Sequence, residues 1–183
     1  TGFYRPNSHT IVDTDTCLIQ DERLNELYQY IRKELTPDLA RGLRHLFLRR
    51  SRKTGQCQVV FIGEENRYDR LTEKLAREFP DLVSVVFNRN VRNDNVILGD
   101  EFRVLHGSES IEEDCLGIRI RLNFRSFFQV NPEMMEVLYN TAMEAAGIQP
   151  GDRVIDMYSG TGTLGLLAAR RQARVTGVEI VPE

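Results

Sequence analysis

The chain has no tryptophan, only three cysteines and three histidines, and nowhere in its 183 residues a run of eighteen apolar side chains. Each scarcity excludes something. Without a long apolar run, no membrane-spanning helix and no membrane partner are expected. Cys17, Cys57 and Cys115 are an odd number at wide spacing, so no disulfide framework is expected. With no charged, apolar and small-residue leader in front of them, they read as reduced thiols in a cytoplasmic protein. His9, His45 and His106 lack metal-ligand spacing and are too few to argue a Ser-His-Asp arrangement. Neither sign of charge dominates: 24 Lys and Arg stand against 27 Asp and Glu, for a net −3. The chain as a whole is therefore no polyelectrolyte clamp for nucleic acid, and any such contact must come from local patches.

What is present suits a globular chain. Hydrophobic residues at 41% and charged residues at 28% exclude disorder, collagen and a disulfide-stapled miniprotein. The length fits one ordinary domain or two small ones. The chain opens on Thr1-Gly2-Phe3 without methionine and stops at Val181-Pro182-Glu183, just after an expected strand. It reads as a piece of a longer protein.

Residues 1–20 are polar and irregular, with Pro6-Asn7-Ser8 as a turn signal, and form a lead-in segment. Leu24, Leu27, Tyr28, Ile31 and Leu35 then fall at helical spacing until Pro37. Strands are expected at about 43–50 and 57–62, joined as a hairpin across Gly55, with a helix over 67–79 and a strand at 83–87. Shorter strands near 102–106 and 116–122 complete a central α+β domain over 21–125. From 126 the grammar changes. Asn131 caps a helix that Pro132 begins and Gly147 closes, with Met134, Val137, Leu138, Ala142 and Ala145 as its apolar stripe. A strand at 153–156, a glycine loop, a helix to Arg171 and a strand over 173–179 make a βαβ unit. The fold class is α/β overall: a central α+β domain, then the first βαβ unit of a Rossmann-like domain spanning 126–183.

The chemistry gathers in Val154-Ile155-Asp156-Met157-Tyr158-Ser159-Gly160-Thr161-Gly162-Thr163-Leu164-Gly165. Glycines let the backbone pass close to a ligand at the start of a helix. Gly160, Gly162 and Gly165 satisfy the GxGxxG dinucleotide fingerprint, with Glu179 placed for a ribose. Asp156 points another way. A fixed negative charge at the strand end repels a pyrophosphate and attracts the ammonium and sulfonium of S-adenosylmethionine, whose carboxylate then suits the helix N-terminus. Glu179 would accept hydrogen bonds from both ribose hydroxyls. A methyl donor is the leading ligand, with a dinucleotide and a purely packing glycine turn as alternatives.

Basic residues gather at Arg41, Arg44, Arg49, Arg50, Arg52 and Lys53, again at Arg89 and Arg92, and at Arg119, Arg121 and Arg125 along one strand face. They are candidates for phosphate contact or for an ordinary solvated face.

Arg125-Ser126-Phe127-Phe128-Gln129-Val130-Asn131-Pro132, taken with the glycine loop and Val175-Thr176-Gly177-Val178-Glu179, resembles the S-adenosylmethionine-dependent RNA (uracil-5-)-methyltransferases, most closely those acting on 23S ribosomal RNA. The resemblance implies that Gln129 contacts the methyl donor, that Tyr158 lies against it and that Glu179 takes its ribose. Ser159 stands where members often carry cysteine. The stretch from Gly2-Phe3-Tyr4-Arg5 through Ser8-His9 to Cys17 is similar to the segment that follows the family's RNA-binding barrel. There the resemblance makes Cys17 the fourth ligand of a 4Fe-4S cluster in the intact protein, an orphan in this chain because such clusters take four thiolates. It further implies RNA as partner, ribosomal before transfer RNA and not DNA. It also implies a cysteine nucleophile and a general base beyond Glu183, so that this stretch alone does not methylate RNA. A different methyltransferase and a non-catalytic RNA-binding module remain the other readings.

Overall fold

A computed structural model describes residues 2–8 and 10–180. Thr1, His9, Val181, Pro182 and Glu183, quoted above, lie outside the described residues. The chain is α/β and divides into two compact units, Thr1–Arg50 with Gly55–Glu109, and Ser51–Thr54 with Ser110–Glu183. No helix among the described residues is long and apolar enough to cross a membrane.

The first unit opens on a small antiparallel hairpin of β1 (Gly2–Tyr4) and β2 (Ile11–Asp13). The lead-in is thus not irregular throughout. Its turn signal marks a real turn, with Asn7 at φ 55°. Strands of three exposed residues carry no inside–outside contrast, so the pattern gives them no signal. Helix α1 (Glu22–Glu34) is capped by Asp21, whose carboxylate accepts the Arg23 N–H, and the one-turn α2 (Pro37–Ala40) by Thr36. A four-stranded sheet follows: β3 (Leu43–Arg50), β4 (Cys57–Gly63), β5 (Leu82–Arg89) and β6 (Glu101–Gly107), in that spatial order. β4 and β5 run parallel, joined through α3 (Asp69–Glu78), while both outer pairs are antiparallel. Gly55 makes the β3–β4 turn possible at φ 75°. Alternating Val59 and Phe61 on β4, with Val85 and Phe87 on β5, form one core with Leu27 and Ile31 of α1 and Leu71 and Leu75 of α3. Period two from the strands meets period 3.6 from the helices, and both stripes are spent on the same core.

In the second unit β7 (Ser110–Cys115) and β8 (Ile118–Asn123) form an antiparallel hairpin. The sequence reading saw one strand at 116–122. The turn is Leu116-Gly117, both at positive φ, a tight two-residue connection that only the glycine signals. Buried Glu113 ties residues 51–54 to β7, accepting from Ser51 Oγ at 2.9 Å and from the Arg52 N–H at 3.2 Å. Helix α4 (Pro132–Ala146) has its caps where expected, Asn131 at the start and Gly147 at φ 58° at the end. Its inward stripe is not the one expected. Met135 and Met143 are buried and Tyr139 packs on the core, an i, i+4, i+8 set, whereas Met134, Val137 and Leu138 are more than half exposed. The helix is apolar on two faces, and periodicity alone does not choose between them. Strands β9 (Arg153–Met157) and β10 (Arg174–Val178) are parallel neighbours linked through α5 (Thr163–Arg170), whose Leu167 and Ala168 pack on Val154 and Val175.

Candidate functional site

β9 delivers the chain into a loop of unusual backbone. Tyr158, Gly160 and Gly162 all have left-handed φ, at 60°, 51° and 72°. Two of the three are glycines, for which the conformation is ordinary, while Tyr158 holds it at a cost of about 1 kcal/mol or more. The Ser159 N–H donates to Val178 O at 3.0 Å and the Gly162 N–H to Ser159 O at 2.7 Å, binding the loop to β10 and to itself. Among the described residues nothing lies within 4 Å of where a side chain would start at Gly160 or Gly162. The loop therefore presents bare backbone to solvent, with Tyr158 at its rim 85% exposed.

Two carboxylates fasten this loop. Asp156 Oδ2 accepts the Gly165 N–H at 2.8 Å. Gly165 lies in the first turn of α5, where amides lack helical partners, and the N-cap Gly162 supplies no side chain. Asp156 thus caps α5 from the preceding strand. Glu179 Oε2 accepts the Gly160 N–H at 2.8 Å, while its Oε1 accepts the Ile180 N–H at 2.9 Å. Negative charge already stands on the amides that a phosphate would seek, so the turn favours cationic groups and hydroxyl donors.

The structure brings Asp156, Gly160, Gly162 and Glu179 together, with Tyr158 beside them. Gln129 is half-buried in the stretch before α4, with no hydrogen bond to the loop among the described residues. Of the phenylalanines before it, Phe128 is half-buried and Phe127 is 79% exposed. Two residues of the site escaped the sequence reading. Gly177 of β10 leaves room for Ser159 Oγ, which would lie 3.3 Å from a Cβ there. Tyr139 of α4 has its phenol pushed up by burial, then by the Cys115 and Asp156 charges. Its i, i+4 relation to Met135 and Met143 was the available signal.

The cysteines stand apart. Half-buried Cys17 is held through its backbone by Asn25, whose Oδ1 accepts the Cys17 N–H at 2.9 Å and whose Nδ2 donates to Cys17 O at 3.0 Å. Burial first, then nearby carboxylates, pushes the Cys57 thiol up to about 12 and the Cys115 thiol up to about 11. Among the described residues no group of three or more His, Cys, Asp or Glu could hold a metal ion. Iron–sulfur clusters take four thiolates, so Cys17 alone among the described residues does not hold one.

Most of the basic residues are neutralised locally. Arg50 pairs with Asp21 at 2.9 Å, Lys53 with Glu136 at 3.0 Å, Arg92 with Asp94 at 2.6 Å and Arg119 with Glu112 at 3.8 Å. On β8 the register sets Arg119 opposite Asp114 and Arg121 opposite Glu112, a mixed-charge ladder rather than a cationic face. Burial pulls Arg49 down to about 10.

No protein-family model matches the chain. It is 42% identical over 193 aligned residues to an uncharacterized RNA methyltransferase of Streptococcus agalactiae, covering 99% of this chain and 43% of that protein. A second uncharacterized RNA methyltransferase, from Halalkalibacterium halodurans, is 40% identical over 100% of this chain and 42% of its own length. Nearly the whole chain is thus similar to part of proteins named as RNA methyltransferases. It spans less than half the length of these curated relatives. Among solved structures, the Pyrococcus abyssi tRNA (uracil-54, C5)-methyltransferase in complex with S-adenosyl-L-homocysteine superposes with a TM-score of 0.73 at 24% identity, over 93% of this chain and 43% of that one. The two share a fold.

Of the three motif glycines, Gly165 in the first turn of α5 is the tightest position. A Cβ on Gly165 would lie 2.9 Å from Asp156 Oδ2 and 3.2 Å from Val175 Cγ1. Gly165→Ala gains about 1 kcal/mol of helix propensity, but it displaces the capping carboxylate and crowds β10. A net loss of about 1–2 kcal/mol is expected in urea denaturation. A rise in stability would show that the carboxylate moves aside without penalty.

Proposed function

We propose that the chain is part of an S-adenosylmethionine-dependent RNA methyltransferase acting on carbon 5 of a uridine, with ribosomal RNA as first choice of substrate and transfer RNA as second. The observation that carries the donor half is the pair of acids at the C-terminal ends of two parallel neighbouring strands, Asp156 bonded to the first-turn amide of Gly165 in α5 and Glu179 to the loop amide of Gly160. That end of an open α/β sheet is where such folds take ligands. A phosphate is repelled there, while a nucleoside with a cationic tail is matched at both ends. Homology to RNA methyltransferases supports RNA as the acceptor.

In this reading residues 1–20 lead into a central domain over 21–125, and 126–183 begin the donor-binding domain. Glu179 accepts from the ribose hydroxyls through the lone pairs its amide bonds leave over. Asp156 holds the start of α5 and sets the negative field for the donor's charges. Gly160 and Gly162 allow close approach, Tyr158 lies along the ligand and Gln129 closes over it. The bound donor supplies an electrophilic methyl group.

On the acceptor side carbon 5 of uracil must first be made nucleophilic. A cysteine thiolate adds at carbon 6, and carbon 5 takes the methyl group. A base then removes the carbon 5 proton, and elimination restores the ring and releases the thiol. Buried Cys57 and Cys115, with thiols pushed up by that burial, do not serve. The nucleophile and base are assigned to sequence outside these 183 residues, so the chain alone is expected not to methylate. The target base must leave its stack to be reached. The setting is the cytoplasm.

The test uses a protein of the relatives' full length that carries this sequence. It is incubated with S-adenosylmethionine and ribosomal RNA tritiated at carbon 5 of uracil. Donor-dependent tritium release is expected. Its absence, with donor binding verified, retires uracil-5 chemistry in favour of another acceptor or a non-catalytic RNA-binding module.

A further inference from the structure

A cavity of about 500 Å³ lies within the first unit, between the β1–β2 hairpin, the segment after it, α1 and β3. Its walls are built, not incidental. Asn25 clamps Cys17 by both its backbone groups, and the Tyr28 hydroxyl donates to Thr14 O at 2.9 Å. Arg32 also donates to Thr14 O, at 2.6 Å, so the segment over 14–17 is pinned to α1. The opposite wall is β3, the outer strand of its sheet, bonded among the described residues only to β4. Six consecutive β3 residues, 43–48, face the cavity. Consecutive rather than alternate lining means that the strand's edge, with backbone N–H and C=O left unpaired by any strand, forms the wall.

The lining chemistry is selective. Phe3, Tyr4, Tyr28 and Phe47 supply rings, and His45 meets Tyr4 edge-on with ring centres 6.5 Å apart. Burial, then the Arg44 charge, lowers the His45 pKa, which favours a neutral imidazole at pH 7. None of the described Asp and Glu residues lines the cavity. Its one cation, Arg44, donates to the backbone carbonyls of Arg92 and Asp94. It forms no ion pair among the described residues, unlike most of the other arginines named above. Rings for stacking, a strand edge whose N–H and C=O match the donors and acceptors of a base edge, a fixed cation and no carboxylate are what an unstacked nucleotide needs. The volume falls in the range of small-ligand sites.

We propose that this cavity receives one unstacked nucleoside of a single-stranded RNA, its base against Tyr4, His45 and Phe47, its edge read by β3 and its phosphate near Arg44. The site is separate from the glycine loop and grips the acceptor rather than the methyl donor. That the nucleic acid is RNA rests on the methyltransferase reading.

The test mixes the 183-residue chain with an oligouridylate of roughly six to ten nucleotides. Affinity is read by fluorescence anisotropy, and contacts by photocrosslinking with 5-bromouridine and mass spectrometry. Crosslinks at Tyr4, His45 or Phe47 are expected. Tyr4→Ala and His45→Ala should each weaken binding about tenfold, while Glu73→Gln, exposed on α3 and outside the cavity lining, should leave it unchanged. Circular dichroism melts check that the variants stay folded. Binding with crosslinks confined elsewhere, or an affinity that Tyr4→Ala leaves untouched, overturns the pocket. Protection of β3 amides by an extended peptide, with no RNA bound, overturns it in favour of strand addition. Tritium release by the longer protein is scored separately. Release without these crosslinks discards the pocket and keeps the methyltransferase, and crosslinks without release do the reverse.

Discussion

Phe61→Ala should lower the unfolding free energy of the first unit by about 3–5 kcal/mol, read as a fall in the urea midpoint. Phe61 is fully buried at the middle of β4, a strand with neighbours on both sides. Its ring stacks on Tyr68 with centres 4.4 Å apart and planes within 7°. Tyr68 in turn leans on Phe87 at 6.1 Å and donates its hydroxyl to Leu39 O at 3.3 Å. Truncation therefore removes apolar burial and an aromatic pair together, beside a tyrosine that its hydrogen bond keeps from collapsing into the space. Such a loss is a large share of a typical domain stability of about 5–15 kcal/mol. Phe61→Leu, which fills most of the volume, should lose only about 1–1.5 kcal/mol. Val12→Ala on the exposed β2 should lose about 0.5 kcal/mol or less. If Phe61→Ala loses under about 1 kcal/mol, the core refills the space, and the stack is not what fixes the helices on the sheet.

What could be read in the sequence follows from where physical contrast existed. β4 and β5 alternate inside a run of Val, Ile and Phe between polar turns. The α4 caps Asn131, Pro132 and Gly147 are residue types chosen by backbone geometry, so both were legible. The β1–β2 hairpin was not, because strands of three exposed residues show no difference between faces. Nor was the choice of face on α4, where apolar residues occupy two stripes and packing alone selects Met135, Tyr139 and Met143. The glycine loop was legible as a site because left-handed backbone demands glycine at Gly160 and Gly162. What no pattern could give was that Asp156 closes on a first-turn amide of α5 and Glu179 on a loop amide. That depends on strand register, which sets β10 beside β9 with Gly177 opposite Asp156. The basic clusters show the converse failure. They are conspicuous in one dimension, but in three dimensions carboxylates pair with Arg50, Arg52, Lys53, Arg89, Arg92 and Arg119.

Asp156→Asn should weaken S-adenosylmethionine binding about 10–100-fold while leaving the chain's stability within about 0.5 kcal/mol. The substitution separates two roles that the geometry superimposes. The Asn oxygen can still accept the Gly165 N–H, so the start of α5 stays capped, but the negative charge is gone. A unit charge a few ångströms from a cation near a protein surface interacts by about 4 kcal/mol before solvent and salt reduce it, which is the source of the range. The comparison that decides uses two ligands. S-adenosylhomocysteine keeps the ammonium but has a neutral thioether in place of the sulfonium, so the substitution should weaken it less, and the preference between the two should narrow. Nicotinamide dinucleotide and ATP should bind the variant no worse and in trend better. Asp156→Ala should lose the donor and about 1 kcal/mol of stability besides, through the orphaned first-turn amide. Calorimetric titration of the three proteins reads all of this. If Asp156→Asn weakens both adenosyl ligands equally, the carboxylate acts by shaping the loop and not by its field. If it weakens neither, the acid belongs to α5 alone, and the methyl-donor reading loses the residue that distinguishes it from a dinucleotide fold.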